Sequence, residues 1–353
     1  MIPYFVQVFA NGGLMAGVVY LPLLAKEMGV SAASIGLLVG VYQGTMFFSN
    51  LLFGRWADFG DRKIFVVIGL AITALSVALH IPIKSLFGLF VIRFITGWGA
   101  GIFPAALVAY FYEDNKRLGR FSGFGSLGWA TGALIVGLVS EKWIFLVAAL
   151  AIGLTGVVAL LGLRSQQVRL DRMLFNLTVL KRNWHIYLSF LLRHLGAFSI
   201  WTIFPLYLTS LGANRFWVGV VYTLNPLGQF VFMNILEPYT EEKLIKIGLL
   251  LSILVFFSFG LLTDFRQVIP VQLVLALSWS CLYLGSLKKL MRTNQERSTA
   301  AGMLHSVLSL AAVLGALLEG AMGSFGYRTV MFIAAGLASF GTIVYFVTRE
   351  VPN

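Results

Sequence analysis

The chain has 353 residues, 59% of them hydrophobic and 11% charged, with a mean hydropathy of +0.88. Soluble domains carry about a quarter charged residues, so no water-soluble surface can be built from this supply. The net charge of +12 looks like a nucleic-acid signal only until the charges are placed. They fall between apolar runs of about twenty residues, the length that crosses a ~30 Å hydrocarbon core.

In chain order, the first run begins at Ile2. It has no Lys or Arg before Lys26 and no small-residue cleavage site, so it reads as a retained span rather than a signal peptide. Helical spans are expected near 3–25, 32–54, 64–83, 86–112, 121–140, 143–163, 186–209, 215–236, 244–263, 268–290, 301–323 and 328–347. The fold class is therefore all-α and polytopic, with twelve spans and short connections. One connection is long, residues 164–185. It is basic and partly amphipathic, which predicts a segment lying on the membrane surface. It separates an N-terminal six-helix bundle (1–163) from a C-terminal one (186–353).

Counting residues within three of a span end with the adjoining connection, the connections after the even-numbered spans, with the C-terminal tail, hold 18 of the 26 Lys and Arg. The others hold Lys26, Lys84, Lys142, Arg215, Arg266 and Arg328, and Arg93 and Arg193 lie inside spans. The positive-inside rule then predicts a multi-pass protein of the cell membrane with both termini cytoplasmic. The one cysteine, Cys281, sits in an apolar run, which excludes a disulfide framework or a thiolate metal cluster.

Internal repetition follows one offset. Pro22, Gly29 and Gly36 recur 183 residues later as Pro205, Gly212 and Gly219, and Gly153 recurs as Gly336. The hexapeptide Gly132–Gly137, GALIVG, recurs as Gly315–Gly320, GALLEG. Six spans separate the copies, so both share one orientation and form a parallel repeat, an arrangement that places a binding site between the halves.

Between spans 2 and 3 stand Gly54, Asp58, Gly60, Arg62 and Lys63, in the order GRWADFGDRK. This resembles the cytoplasmic loop signature of the major facilitator superfamily. It departs in having one residue fewer between Asp58 and Gly60, no Arg directly after Asp58, and Asp61 where a basic residue is common. The resemblance implies two six-helix bundles and a cytoplasmic gate in which Asp58 meets the end of span 11, where a helix N-terminus favours negative charge. Arg93, four residues before Gly97, Gly99 and Gly101, is similar to the family's second motif. Gly128, Gly132 and Gly137 keep most of the antiporter glycine spacing, with Ala133 in place of its Pro. These glycines, with Gly315 and Gly320, equally suit close helix packing.

Ionisable groups inside a bilayer cost roughly 2.5–3.5 kcal/mol each on insertion scales. Arg93, Arg193 with the adjacent His194, and Glu319, on the helical face of Gly315, are accordingly expected to face the bundle interior and to serve substrate or proton coupling. The resemblance places Arg93 and Arg193 on cavity-lining spans. Asn11 with Gln7, Gln43, and Asn225 with Gln229 are weaker candidates, as polar amides in lipid commonly bond a neighbouring helix.

No GxxxxGK[ST] loop, HExxH motif, paired intramembrane carboxylates or His/Cys cluster is present, so nothing points to ATP binding, catalysis, a metal or a cofactor. The reading is a secondary transporter of a small organic solute, working by alternating access and coupled to protons. A multidrug-type exporter of hydrophobic compounds is the alternative; a channel, a scramblase or a membrane-embedded enzyme stands behind it.

Overall fold

Helix starts follow local chemistry. The Ser31 hydroxyl accepts from the Ser34 N–H at 3.2 Å, Ser85 from Gly88 at 3.1 Å and Asn214 from Trp217 at 3.1 Å, each satisfying a backbone donor that a helix start leaves open. The computed structural model describes residues 1–170 and 177–348. It holds α1 (Ile2–Glu27), α2 (Ala32–Trp56), α3 (Arg62–Ala78), α4 (Leu86–Asn115), α5 (Leu118–Leu138) and α6 (Glu141–Gly162). The second half holds α7 (Leu177–Ser210), α8 (Arg215–Ile235), α9 (Glu241–Leu261), α10 (Val268–Thr293), α11 (Arg297–Met322) and α12 (Tyr327–Thr348).

Eleven of these helices are long and apolar enough to cross a membrane. The exception is α3, whose 17 residues give about 25 Å at 1.5 Å per residue. Leu138, Leu161 and Phe87 lie with their side chains fully outward, as a surface solvated by acyl chains requires.

The long central connection is shorter than expected. α7 begins at Leu177, not near residue 186, because Val179, Asn183, Ile186 and Tyr187 are buried on one face. Asn183 and Arg182 both donate to Asn294 Oδ1, at 3.0 and 2.9 Å, and the Tyr187 hydroxyl donates to the Ala300 carbonyl at 3.1 Å. Packing on the end of α10 and the start of α11 thus makes this stretch the first turns of α7 rather than a separate segment. Residues 171–176 of the predicted loop lie outside the described residues.

The 183-residue offset has a structural cause. Gly29 (φ +74°) and Gly212 (φ +91°) are left-handed residues ending α1 and α7, a conformation other residues adopt at a cost. Beyond them the Val30 N–H returns to the Ala25 carbonyl and the Ala213 N–H to the Leu208 carbonyl, both at 3.0 Å. Helix pairing repeats as well. α1 packs on α5 and α6, α2 on α4, and α3 on α4 and α6; six helices later α7 packs on α11 and α12, α8 on α10, and α9 on α10 and α12.

The two sets meet through α2 against α11 and α5 against α8, with α4 touching α11. One buried apolar cluster takes in all of the first six helices and the loop 2–3 end of the second six. A second cluster, from Ala197 to Ala213 with parts of α8, α9, α10 and α12, belongs to the other end of the second half alone. The halves are therefore joined at one end and parted at the other. On α2, Gly36, Gly40 and Gly44 form a stripe with no atom within 4 Å of where a Cβ would stand.

Candidate functional site

The joined end is held by charge on a helix start. Asp58, fully buried just past α2, accepts from the Ser298 N–H at 3.0 Å and from the Thr299 N–H and hydroxyl, both at 2.7 Å. These are open donors of the first turn of α11, where the helix dipole favours an anion. Arg62 donates to Asp58 at 3.3 Å, to Ser298 Oγ at 3.0 Å and to Gln166 Oε1 at 3.0 Å. Glu113 at the end of α4 pairs with both Arg62 and Arg297. Gly54 sits at the α2–α11 crossing, where a Cβ would stand 2.9 Å from Gly302 Cα and from the Ser298 carbonyl. Only glycine lets these backbones approach so closely.

Asp61, the departure from the family signature, has work of its own. It caps α3 by accepting from the Lys63 N–H at 3.0 Å, and it accepts from the Gln166 N–H at 3.0 Å and the Ser165 hydroxyl at 2.7 Å. Burial opposes its ionisation, but these donors and the Lys63 ammonium outweigh burial and hold the carboxyl below its usual range. Residues 166–170 thus lie along the loop, with the Val168 N–H on the Gly60 carbonyl and the Leu170 N–H on the Asp58 carbonyl. Gly60 leaves room for the Phe65 ring, 2.9 Å from where a Cβ would be.

Above the joined end a ladder of neutral polar groups crosses from one half to the other. On α1 and α5, Asn11 donates to Gln7, and the Trp129 Nε1–H donates to Asn11 Oδ1 at 3.2 Å. The Ser126 hydroxyl of α5 donates to Gln229 Oε1 of α8 at 2.9 Å. Gln229 bonds Asn225, which donates to Gln272 of α10 at 3.0 Å. On α10 and α11 the Tyr283 hydroxyl meets His305 Nε2 at 3.1 Å. Gln43 on α2 keeps a buried Oε1 without a partner. Asn11, Gln43 and Asn225 were legible as candidates. Ser126, Gln272, Tyr283 and His305 were not, because one hydroxyl, phenol, imidazole or amide per span carries no periodic signal.

The intramembrane arginines are each enclosed by their own half. Arg93 is buried with its guanidinium 4.0 Å from the centre of the Tyr42 ring, and its Nε has no hydrogen-bond partner. Arg193 donates to Ser252 Oγ at 2.9 Å, meets His194 Nδ1 at 3.2 Å and lies over Phe256 and Trp279. His194 packs between Phe190, Phe198 and Trp279. Both guanidiniums lie over aromatic faces, and Arg193 also has the Ser252 hydroxyl, rather than carboxylates. Glu319 is half-buried in the last turn of α11, toward the parted end.

The glycines divide. A Cβ on Gly128 or Gly132 would run into the α1 backbone at Val8 or Gly12, and one on Gly315 would stand 2.8 Å from the Leu195 carbonyl of α7. Gly132 and Gly315 meet positions that are themselves 183 apart, so the repeat is a repeat of helix contacts. Gly137 and Gly320 have nothing within 4 Å. A packing role for those two is corrected: α5 and α11 have diverged from their neighbours at the parted end.

Two repeated sets of six membrane helices, closed together at one end over a polar seam, form the build of a secondary transporter with a site between parallel halves. The family model for the Major Facilitator Superfamily matches residues 4–287, and the chain belongs to that superfamily. It is 22% identical over 351 residues to Multidrug resistance protein 1 of Bacillus subtilis (strain 168), covering 90% of this chain and 89% of that protein. It is 22% identical over 372 residues to Quinolone resistance protein NorA of Staphylococcus aureus (strain COL), covering 97% and 94%. In fold it matches the human organic anion transporter MFSD10 (TETRAN) with a TM-score of 0.83 at 14% identity, covering 98% of both chains. The nucleoside transporter NupG follows with a TM-score of 0.69 at 16% identity, covering 99% and 98%.

Proposed function

We propose that this transporter moves a small organic solute through the cleft between its halves by alternating access, driven by a proton gradient, in the cell membrane with both termini cytoplasmic. The observation that carries this is the one-sided closure. Asp58, Arg62 and Gly54 seal the α2–α11 crossing, while the opposite ends of the same helices stand apart. The sealed end is also where the basic connections lie, so the positive-inside rule makes it cytoplasmic. In this reading Asn11, Gln43 and Asn225 bind the solute. Arg93 and Arg193 with His194 support the seam from within each half, and Glu319 takes and releases the coupling proton near the open mouth. No chemical step on the solute is involved.

A second reading is export of hydrophobic compounds. It is favoured by the neutrality of the ladder, in which the Trp129 indole donates to Asn11, with the Arg93 and Arg193 guanidiniums already engaged elsewhere. The resistance proteins it resembles agree with it.

Purified protein in liposomes decides between them. A panel of organic anions, nucleosides and lipophilic aromatic dyes is offered with and without an imposed proton gradient. Saturable flux that accumulates a solute only with the gradient is expected. Flux that never saturates and runs only downhill would indicate a pore instead, and wild-type flux in Arg93→Ala would remove that residue from the mechanism.

A further inference from the structure

Asp58 ends a stripe on α2, Asn50, Gly54 and Asp58 at four-residue spacing, that presses on the start of α11. A second stripe of this kind lies on α8 and runs past its end: Asn225, Gln229, Met233 and Glu237. It presses on the start of α5. Ser126 bonds Gln229, the Met233 carbonyl occupies the space beside Gly119, and the Gly119 N–H donates to the Glu237 carboxylate. The Lys288 ammonium of α10 completes the contact. It donates to the Glu237 carbonyl at 2.7 Å and the Tyr239 carbonyl at 3.0 Å, and lies 3.8 Å from the carboxylate.

The helices involved are those the repeat requires, since α8 lies six after α2 and α5 six before α11. The residue is not. An offset of 183 carries Asp58 to Glu241, and Glu241 pairs with Arg292 instead. The reason is one missing turn. The start of α11, Arg297, maps back to position 114, whereas α5 begins four residues later at Leu118. The donors of α5 are thus displaced by one turn along the crossing. An acceptor on the α8 side must come four residues before Glu241, which is Glu237.

We infer that Glu237 is the second latch of the closed end, a positioning residue whose carboxyl oxygen holds the first turn of α5 against α8 as Asp58 holds α11 against α2. This rests on the gating role proposed for the Asp58 end, and the test separates the two because it needs neither solute nor gradient.

Spin labels on Gly137→Cys and Gly320→Cys, both with open space around them, report the separation of α5 and α11 at the parted mouth. Cys281 is buried and does not compete for label. The unmodified background is expected to give mainly the long distance. Glu237→Ala shifts the ratio of long to short distances down by about fivefold, the scale of one helix-terminus contact, and Glu237→Gln, which keeps a carbonyl acceptor, restores it. Asp58→Ala run in parallel reports the gate itself. Glu237→Ala within twofold of wild type, or Glu237→Gln as shifted as Glu237→Ala, overturns the inference. If Glu237→Ala fails to insert, hydrogen exchange of the Gly119 amide in the unmodified protein replaces it. Protection comparable to that of Ser298 supports the latch, and exchange at the rate of an open helix end overturns it.

Discussion

Asp58→Asn isolates the first latch. The side chain keeps its shape, but one carboxylate oxygen becomes an NH2 group facing donors: the N–H groups of Ser298 and Thr299, the Thr299 hydroxyl and Arg62, all within 3.3 Å. Removing one member of a buried ion pair costs about 3–5 kcal/mol. The low end applies here, because Arg62 retains Ser298 and Gln166 at 3.0 Å and Glu113 at 3.4 Å. The contacts form one network and are not summed. A loss of about 3 kcal/mol corresponds to roughly a hundredfold change in the closed-to-open ratio, at 1.4 kcal/mol per decade. Hydrogen exchange in lipid nanodiscs reads it directly. The Ser298 and Thr299 amides are expected to exchange about a hundredfold faster in Asp58→Asn, with the amides of the α11 interior unchanged. Rates within threefold of wild type at those two amides would refute the assignment of Asp58 as their acceptor.

Other expectations follow from the same geometry. Gly54→Val forces a Cβ to within 2.9 Å of backbone atoms of α11, an overpacking cost of about 1–3 kcal/mol. It should open the closed end in the spin-label assay, whereas Gly36→Val, with empty space around it, should not. Gly212→Ala places a Cβ on a residue at φ +91°, a strain of about 1–3 kcal/mol. Its thermal midpoint in detergent should fall while Gly336→Ala stays near wild type. Burial pushes the Glu237 carboxyl up, against the pull of the Gly119 N–H, Lys288 and Arg117. A raised value means this state binds the proton better than an exposed carboxyl does, so its contribution is present at low pH and lost as pH rises through the raised value. Acidification from neutrality should therefore favour the closed end, and Glu237→Gln should flatten that part of the dependence.

Much of the chain is legible one residue type at a time. A run of apolar residues about twenty long has one stable answer in lipid, and charges between runs predict an orientation. Gly29 and Gly212 show through at their shared offset because a left-handed turn tolerates little else. Asp58 is readable for another reason: a carboxylate in a short connection between Gly54 and the basic Arg62 and Lys63 is a local pattern with a family resemblance. Arg93, Arg193 and Glu319 stand out as costly charges, but cost alone does not say what a charge faces. The structure turns both arginines toward aromatic rings of their own half, Arg93 toward Tyr42 and Arg193 toward Phe256 and Trp279 with Ser252 beside it.

The sequence by itself determined the solvent, the helices, the duplication and one of the two carboxylates that close the molecule. The tertiary structure decided where the halves touch, that α7 runs on to Leu177, and that Glu237 rather than Glu241 answers Asp58. Those outcomes depend on how one helix slides along another. α5 begins one turn late, and a shift of one turn changes which residue meets an N-terminus without altering hydropathy, charge count or repeat spacing.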